Sequence, residues 1–374
     1  MPFPPFCRTS PHTKFRVWNL GFERSTERNP QLQTPGSKLS IVLGLFRNNQ
    51  FTTAILLAFY VGLTHLAALL GRVEPPDAGG MDGVLYRVLF FWADEKHAFW
   101  SAAGAAVLVF VQALSVNRLA DEFRLLDDRN WLPGLFYAFA AVSLPDFLFL
   151  SPPLVAATFL PSVLRRIFRV YKQPKATSLI FDAAFWTMVA SLFYPPAIFL
   201  LVAVYAGINV MRSFNFREQM VMLTGVLVPV FLAWLWYFWT DRGSNFWGVQ
   251  FNGLFEIYRP DLQFDWAQTL SIVLFGLLIL TTLVSYGTYI FRKLIQIQKC
   301  VAVLYWFLFV GGLTVFLQNA PAPSHFMLMM PSLGIFLAMS FSALGSRMIA
   351  DVFHLVLLGF VFFIQFFSFF SKFL

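Results

Sequence analysis

The sequence predicts an all-α fold: a polytopic bundle of about 11 membrane-spanning helices (9 to 11), with interfacial helices in two outer loops. Three observations predict it. The 374 residues are 58% hydrophobic and only 12% charged, with mean hydropathy +0.66, whereas a soluble domain carries about 25% charged residues. Apolar runs long enough to cross roughly 30 Å of hydrocarbon recur from Phe51 to the end of the chain. Lys and Arg gather in short clusters beside alternate ends of those runs, as they do on the cytoplasmic side of membrane proteins. The 47 Phe and 11 Trp suit lipid-facing and interfacial surfaces. The net charge of +8 reads as contact with anionic headgroups rather than with nucleic acid, because the cations lie beside hydrophobic spans.

Residues 1–37 hold six Pro, five Lys or Arg and no apolar run. They match no secretory signal and read either as a disordered cytoplasmic tail or as the product of an upstream start codon. The single membrane domain then covers 38–374. SKLSIVLGLFRNNQ reads as a short interfacial helix with Ser37 or Ser40 as caps and Arg47 at the membrane surface.

The first span runs from Phe51 to Leu70 and leads outward. The first outer loop carries Glu74, Asp77, Asp82, Asp94 and Glu95. In it Asp82 is placed to cap an interfacial helix over Gly83–Ala93, too short to span. Phe99–Val116 returns inward. Trp131–Leu150 and Pro152–Phe168 form a hairpin about Ser151-Pro152-Pro153, and Leu179–Phe193 and Ala197–Met211 form a second about Tyr194-Pro195-Pro196; their short halves also fit a tilted or re-entrant pair.

Met220–Trp239 leads out to a second large outer loop, in which Phe246–Tyr258 reads as another surface helix. Ala267–Phe291, Val301–Leu317, Phe326–Leu344 and Val352–Phe370 complete the count. Beyond the first 37 residues, this topology puts sixteen Lys or Arg inside and six outside. No internal repeat announces an inverted-repeat transporter.

Candidate chemistry gathers in the outer loops. Asp94, Glu95 and His97 lie where the first interfacial helix meets the second span; a carboxylate there suits a general base, and the set suits a divalent cation. A solvated loop whose acids cap helices is the commoner arrangement and the alternative reading. Asp146 stands in an apolar, Pro-rich setting at the outer end of the third span, where a carboxylate must be solvated, paired or functional. Arg242 and Arg259 bracket the second outer loop and suit a lipid phosphate, although interface anchoring also accounts for them. His325 is a candidate only if its loop folds over the first. His354, three residues after Asp351, is spaced to pair with it, and both read as structural. Polar residues within spans are few, chiefly Gln112, Asn209 and Gln365, which disfavours a transport path. Cys7 and Cys300 form no metal-binding spacing, and the sequence lacks a Gly-rich phosphate loop and a nucleophile elbow.

The motifs LFRNNQ, VQALSVNRL, LPGLFYAF, LFLSPPLVAATFL, FRVYKQ, LIFDAAFW, ASLFYPPAIFLL and RSFNFREQ, followed by a Pro-containing span ending FWTD, cover most of residues 40–241. On them the chain resembles a Bacteroidota family of multi-pass inner-membrane proteins catalogued as domain of unknown function 6427. That resemblance implies an inner-membrane location and lends no activity. In architecture the chain is also similar to polytopic glycosyltransferases of the GT-C type that use polyprenyl-phosphate sugars, which commonly have two large outer loops with surface helices and an acid in the first. This second likeness implies a lipid-linked sugar transferase of envelope glycan assembly, with Asp94 or Glu95 as base and a polyprenyl-phosphate substrate. A non-catalytic subunit of envelope or secretion machinery, held by other membrane proteins, is the alternative, and a transporter or flippase the third reading.

Overall fold

The computed structural model describes residues 43–47, 51–73, 75, 82–90, 97–252, 254, 266–285, 287, 293–316 and 323–370, all within one compact unit, Ser40–Leu374. Sixteen helices run in order among these residues, with no strand: α1 Leu43–Phe46, α2 Phe51–Thr64, α3 Leu66–Leu69, α4 Val84–Leu89, α5 Ala98–Glu122, α6 Leu132–Ala140, α7 Pro152–Ala157 and α8 Leu160–Arg169. There follow α9 Thr177–Phe193, α10 Leu200–Met211, α11 Phe216–Trp239, α12 Gly243–Phe251, α13 Trp266–Val284, α14 Ile295–Phe316, α15 Met330–Ala343 and α16 Arg347–Phe370. Three 3-10 turns, Pro145–Leu148, Pro195–Phe199 and Pro323–Met329, punctuate them.

Five segments among the described residues are single helices long and apolar enough to cross a membrane: α5, α11, α14, α16 and the run Pro323–Ala343 that includes α15. The other expected passes are built from shorter apolar pieces. Their breaks follow the prolines, which lack an amide donor and push the preceding residue into extended backbone. Tyr194, at φ −137° and ψ 101°, ends α9 before Pro195, and Leu144, at φ −115° and ψ 139°, stands before Pro145. The expected helix over Trp131–Leu150 is therefore corrected: α6 stops at Ala140 and the chain continues as turn and 3-10 helix. Irregular backbone is tolerated at that depth where protein satisfies it. Gln365 Nε2 donates to Val142 O at 3.3 Å, Leu150 N donates to Ser101 Oγ at 3.0 Å, and Tyr86 Oη donates to Leu150 O at 3.2 Å. Pro161 similarly splits the next pass into α7 and α8.

The core sits on α6 and α15. Every residue of α6 is buried, as is α15 from Met330 to Phe341. The two helices touch through Gly334, where a Cβ would stand 2.6 Å from Tyr137 Cα. One buried network joins three elements around them. Tyr137 Oη donates to Gln112 Oε1 at 2.5 Å, and Gln112 Nε2 donates to Leu154 O and Thr158 Oγ1, each at 2.7 Å. At the periphery, α11 exposes Leu223, Leu227, Phe231, Leu235 and Trp236, an apolar surface that hydrocarbon covers.

One end of the bundle gathers the ion pairs. Glu122 at the end of α5 binds Arg165 and Arg169 of α8, the latter at 2.6 Å; Arg166 pairs with Asp182 at 3.3 Å, Arg212 with Glu218 at 3.1 Å, and Lys293 with Asp127. All come from the segments predicted to face the cytoplasm. The expected Asp351–His354 pairing is corrected. Asp351 Oδ1 instead accepts the amide of Leu43 at 2.9 Å, fixing α1, and neither nitrogen of His354 has a hydrogen-bond partner. Its ring is enclosed by Tyr60, Phe136 and Phe139 at centroid distances of 6.1, 5.4 and 5.4 Å.

Candidate functional site

At the opposite end the two outer-loop helices meet. The sequence predicts each of them separately, and tertiary folding brings them together. The α4 segment enters through Gly83, whose amide donates to Phe193 O at 2.9 Å and whose missing Cβ leaves room for Leu192 O; a Cβ would stand 2.2 Å from that oxygen. Gln250 of α12 locks the arrangement. Its Oε1 accepts from Val84 N at 3.4 Å, and its Nε2 donates to Ser191 O at 2.8 Å. Tyr237 of α11 donates to Val84 O at 3.4 Å, and Phe246 of α12 is buried beside Val84, Met188, Leu192 and Ala233.

Beneath this junction lies an apolar groove of about 350 Å³. Leu85 and Leu89 of α4 wall one side, Val189 and Leu192 of α9 form the floor, and Pro229 and Trp236 of α11 the other side. An isoprenoid or acyl chain fits such a lining, and a charged ligand does not. Asp82 stands at the N-terminal end of α4, where burial raises its carboxyl above the usual range and Arg87 partly offsets the shift. Its expected capping role is corrected: Gly83 is the N-cap and receives no side-chain bond.

The 3-10 turns assemble a second polar group at this end. Tyr194 Oη and His325 Nδ1 are 2.7 Å apart, with their rings nearly parallel at 19°, and both side chains are buried. The turn holding His325 packs on α7 and on the turn holding Asp146. Asp146 is half-buried on that turn. The sequence singles out Asp146 and makes His325 a candidate only if its loop folds over, whereas Tyr194 carries no signal beyond its place before two prolines.

Of the other predicted site residues, His97 is exposed at the start of α5 and Arg242 is exposed at the start of α12. Asp94, Glu95 and Arg259 lie outside the described residues, as do Glu74 and Asp77. Among the described residues no group of three His, Cys, Asp or Glu side chains is placed to hold a metal ion.

No protein-family model matches the chain, so the Bacteroidota family suggested by the motifs is not supported by that comparison, and no curated protein matches either. Among solved structures, the chain is similar to ArnT from Cupriavidus metallidurans, crystallised bound to undecaprenyl phosphate, with a TM-score of 0.50 and 12% identity. The alignment covers 82% of this chain and 63% of that one, so the chain spans less than two thirds of ArnT's length. At that identity the likeness is one of fold. The chain is a multi-pass helical membrane protein whose fold is similar to that of ArnT.

Proposed function

We propose that the protein is a lipid-linked sugar transferase of the bacterial inner membrane, working at the outer face with a polyprenyl-phosphate-bound sugar. The observation that carries this reading is the apolar groove between α4, α9 and α11, beside the α4–α12 junction. It offers an isoprenoid chain a path from the bilayer to the two outer loops, and the fold is similar to that of a protein solved with undecaprenyl phosphate. In this reading Arg242 and Arg259 hold the lipid phosphate through paired hydrogen bonds. The carboxylate of Asp94 or Glu95 takes the proton of the acceptor hydroxyl as its oxygen bonds to the sugar's anomeric carbon, and the bond from that carbon to the lipid phosphate breaks. His97, at the N-cap of α5 where that loop ends, is assigned to substrate binding in the same reading. A divalent cation at Asp94 and Glu95 belongs to the same proposal and would neutralise the departing phosphate.

The test uses purified full-length protein in nanodiscs with undecaprenyl phosphate. Ala233→Trp, which fills the groove, is expected to weaken binding at least tenfold, while Asp94→Asn with Glu95→Gln keeps binding and abolishes sugar transfer in cells. Unchanged binding in Ala233→Trp, or unchanged envelope glycans in an inserted double carboxylate variant, would overturn the reading.

A further inference from the structure

The ion-pair end of the bundle holds cations that the carboxylates do not neutralise. Lys172, in the turn after α8, and Lys299, on α14, both place their ammonium groups over the ring of Tyr171, at 5.4 and 5.2 Å from its centroid. Unlike Arg165, Arg166, Arg169, Arg212 and Lys293, neither forms an ion pair with a carboxylate among the described residues. Lys299 Nζ donates only to the carbonyl of Met211, at 3.2 Å. The turn is held in shape. Arg212 donates to Gln173 O at 3.2 Å, and Lys172 itself adopts φ 56°, a left-handed conformation unfavourable for a residue with a side chain. Lys175, three residues on, is exposed. Two like charges carried to one ring from separate elements repel each other, and an anion bound beside both offsets that repulsion.

An apolar groove begins one turn along α14 from Lys299. It has a volume of about 590 Å³ and is lined by Ala302, Tyr305, Trp306 and Phe309 of α14 and by Leu283 of α13. Ala302 and Trp306 follow Lys299 at spacings of three and seven, on neighbouring helical positions. Trp306, Phe309 and Leu283 keep 40%, 64% and 52% of their surface exposed, so the groove is open to what surrounds the bundle. Cationic head and apolar trough thus lie in series along one helix.

We propose that this is a binding site for an anionic glycerophospholipid of the adjacent leaflet: Lys172 and Lys299 hold its phosphodiester against Tyr171, and one acyl chain lies along Ala302, Trp306 and Phe309. The site stands at the other end of the molecule from the sugar-transfer groove and does not depend on that reading. Its charge matches a phosphatidylglycerol-type head, and its apolar lining distinguishes a lipid from free phosphate.

Native mass spectrometry of the full chain, released from nanodiscs containing both phosphatidylglycerol and phosphatidylcholine, reads retained lipid directly. Selective retention of phosphatidylglycerol is expected, falling about fivefold in Lys172→Gln and about 25-fold in the variant combining it with Lys299→Gln. Lys172→Arg restores it, and millimolar inorganic phosphate does not displace it. Lys172 is exposed, so the single variant keeps the parent's unfolding midpoint in phosphatidylcholine and the test does not hinge on folding. Equal retention of the two lipids, an unaffected Lys172→Gln variant, displacement by phosphate alone, or a photo-crosslink from position 309 to a protein instead of lipid would each overturn the assignment.

Discussion

Asp82 stands in the first outer loop at the N-terminal end of α4, where burial raises its carboxyl above the usual range and Arg87 partly offsets the shift. An acid whose folded value lies above its unfolded value of 3.8 keeps its proton in the folded state over the interval between them. Stability therefore falls as pH rises through that interval and stays lowered above it. Asp82→Asn is expected to remove that slope: its melting temperature matches the parent's at the acid end and exceeds it at neutral pH. Thermal unfolding at the two ends checks this, and an unchanged slope would locate the titration elsewhere. On the 3-10 turns Asp146 was legible and the Tyr194–His325 contact beside it was not. A lone carboxyl between prolines is visible in sequence, whereas a hydrogen bond across 131 positions is not.

Helix boundaries follow local chemistry, and helix contacts do not. The two Pro-Pro pairs mark the ends of α9 and the start of α7 because proline cannot continue the preceding hydrogen-bond ladder. The early end of α6 depends instead on partners in α4, α5 and α16 that satisfy the freed backbone. The α6–α15 contact rests on one missing side chain. Gly334→Val would force its branched Cβ into the Tyr137 backbone and is expected to destabilise the bundle by about 3 kcal/mol or more, read as loss of folded protein in a detergent melt. Gln112→Leu would leave the Tyr137 hydroxyl buried without its acceptor, at a cost of about 1–3 kcal/mol. Tyr137→Phe in the same background should recover part of that loss, and no recovery would mean that the network adds nothing.

At the scale of the molecule, the charge pattern predicted which segments share an end, and the ion pairs among α5, α8, α9, α10 and α11 join segments assigned to the same side. Single cysteines at Lys175 and Arg242, in a background with Cys7 and Cys300 replaced, are expected to react with an impermeant reagent from opposite faces of inner-membrane vesicles. Labelling of both from one face would refute the topology. The sequence by itself determined the class, the apolar segments, their punctuation and their alternation, because hydropathy, proline and charge act locally along the chain. Only the tertiary structure decided that α12 locks α4 onto α9 through Gln250, that Lys172 and Lys299 share a ring, and that Asp351 binds α1 instead of His354. Those outcomes depend on side chains that are distant in the chain and meet only through helix packing.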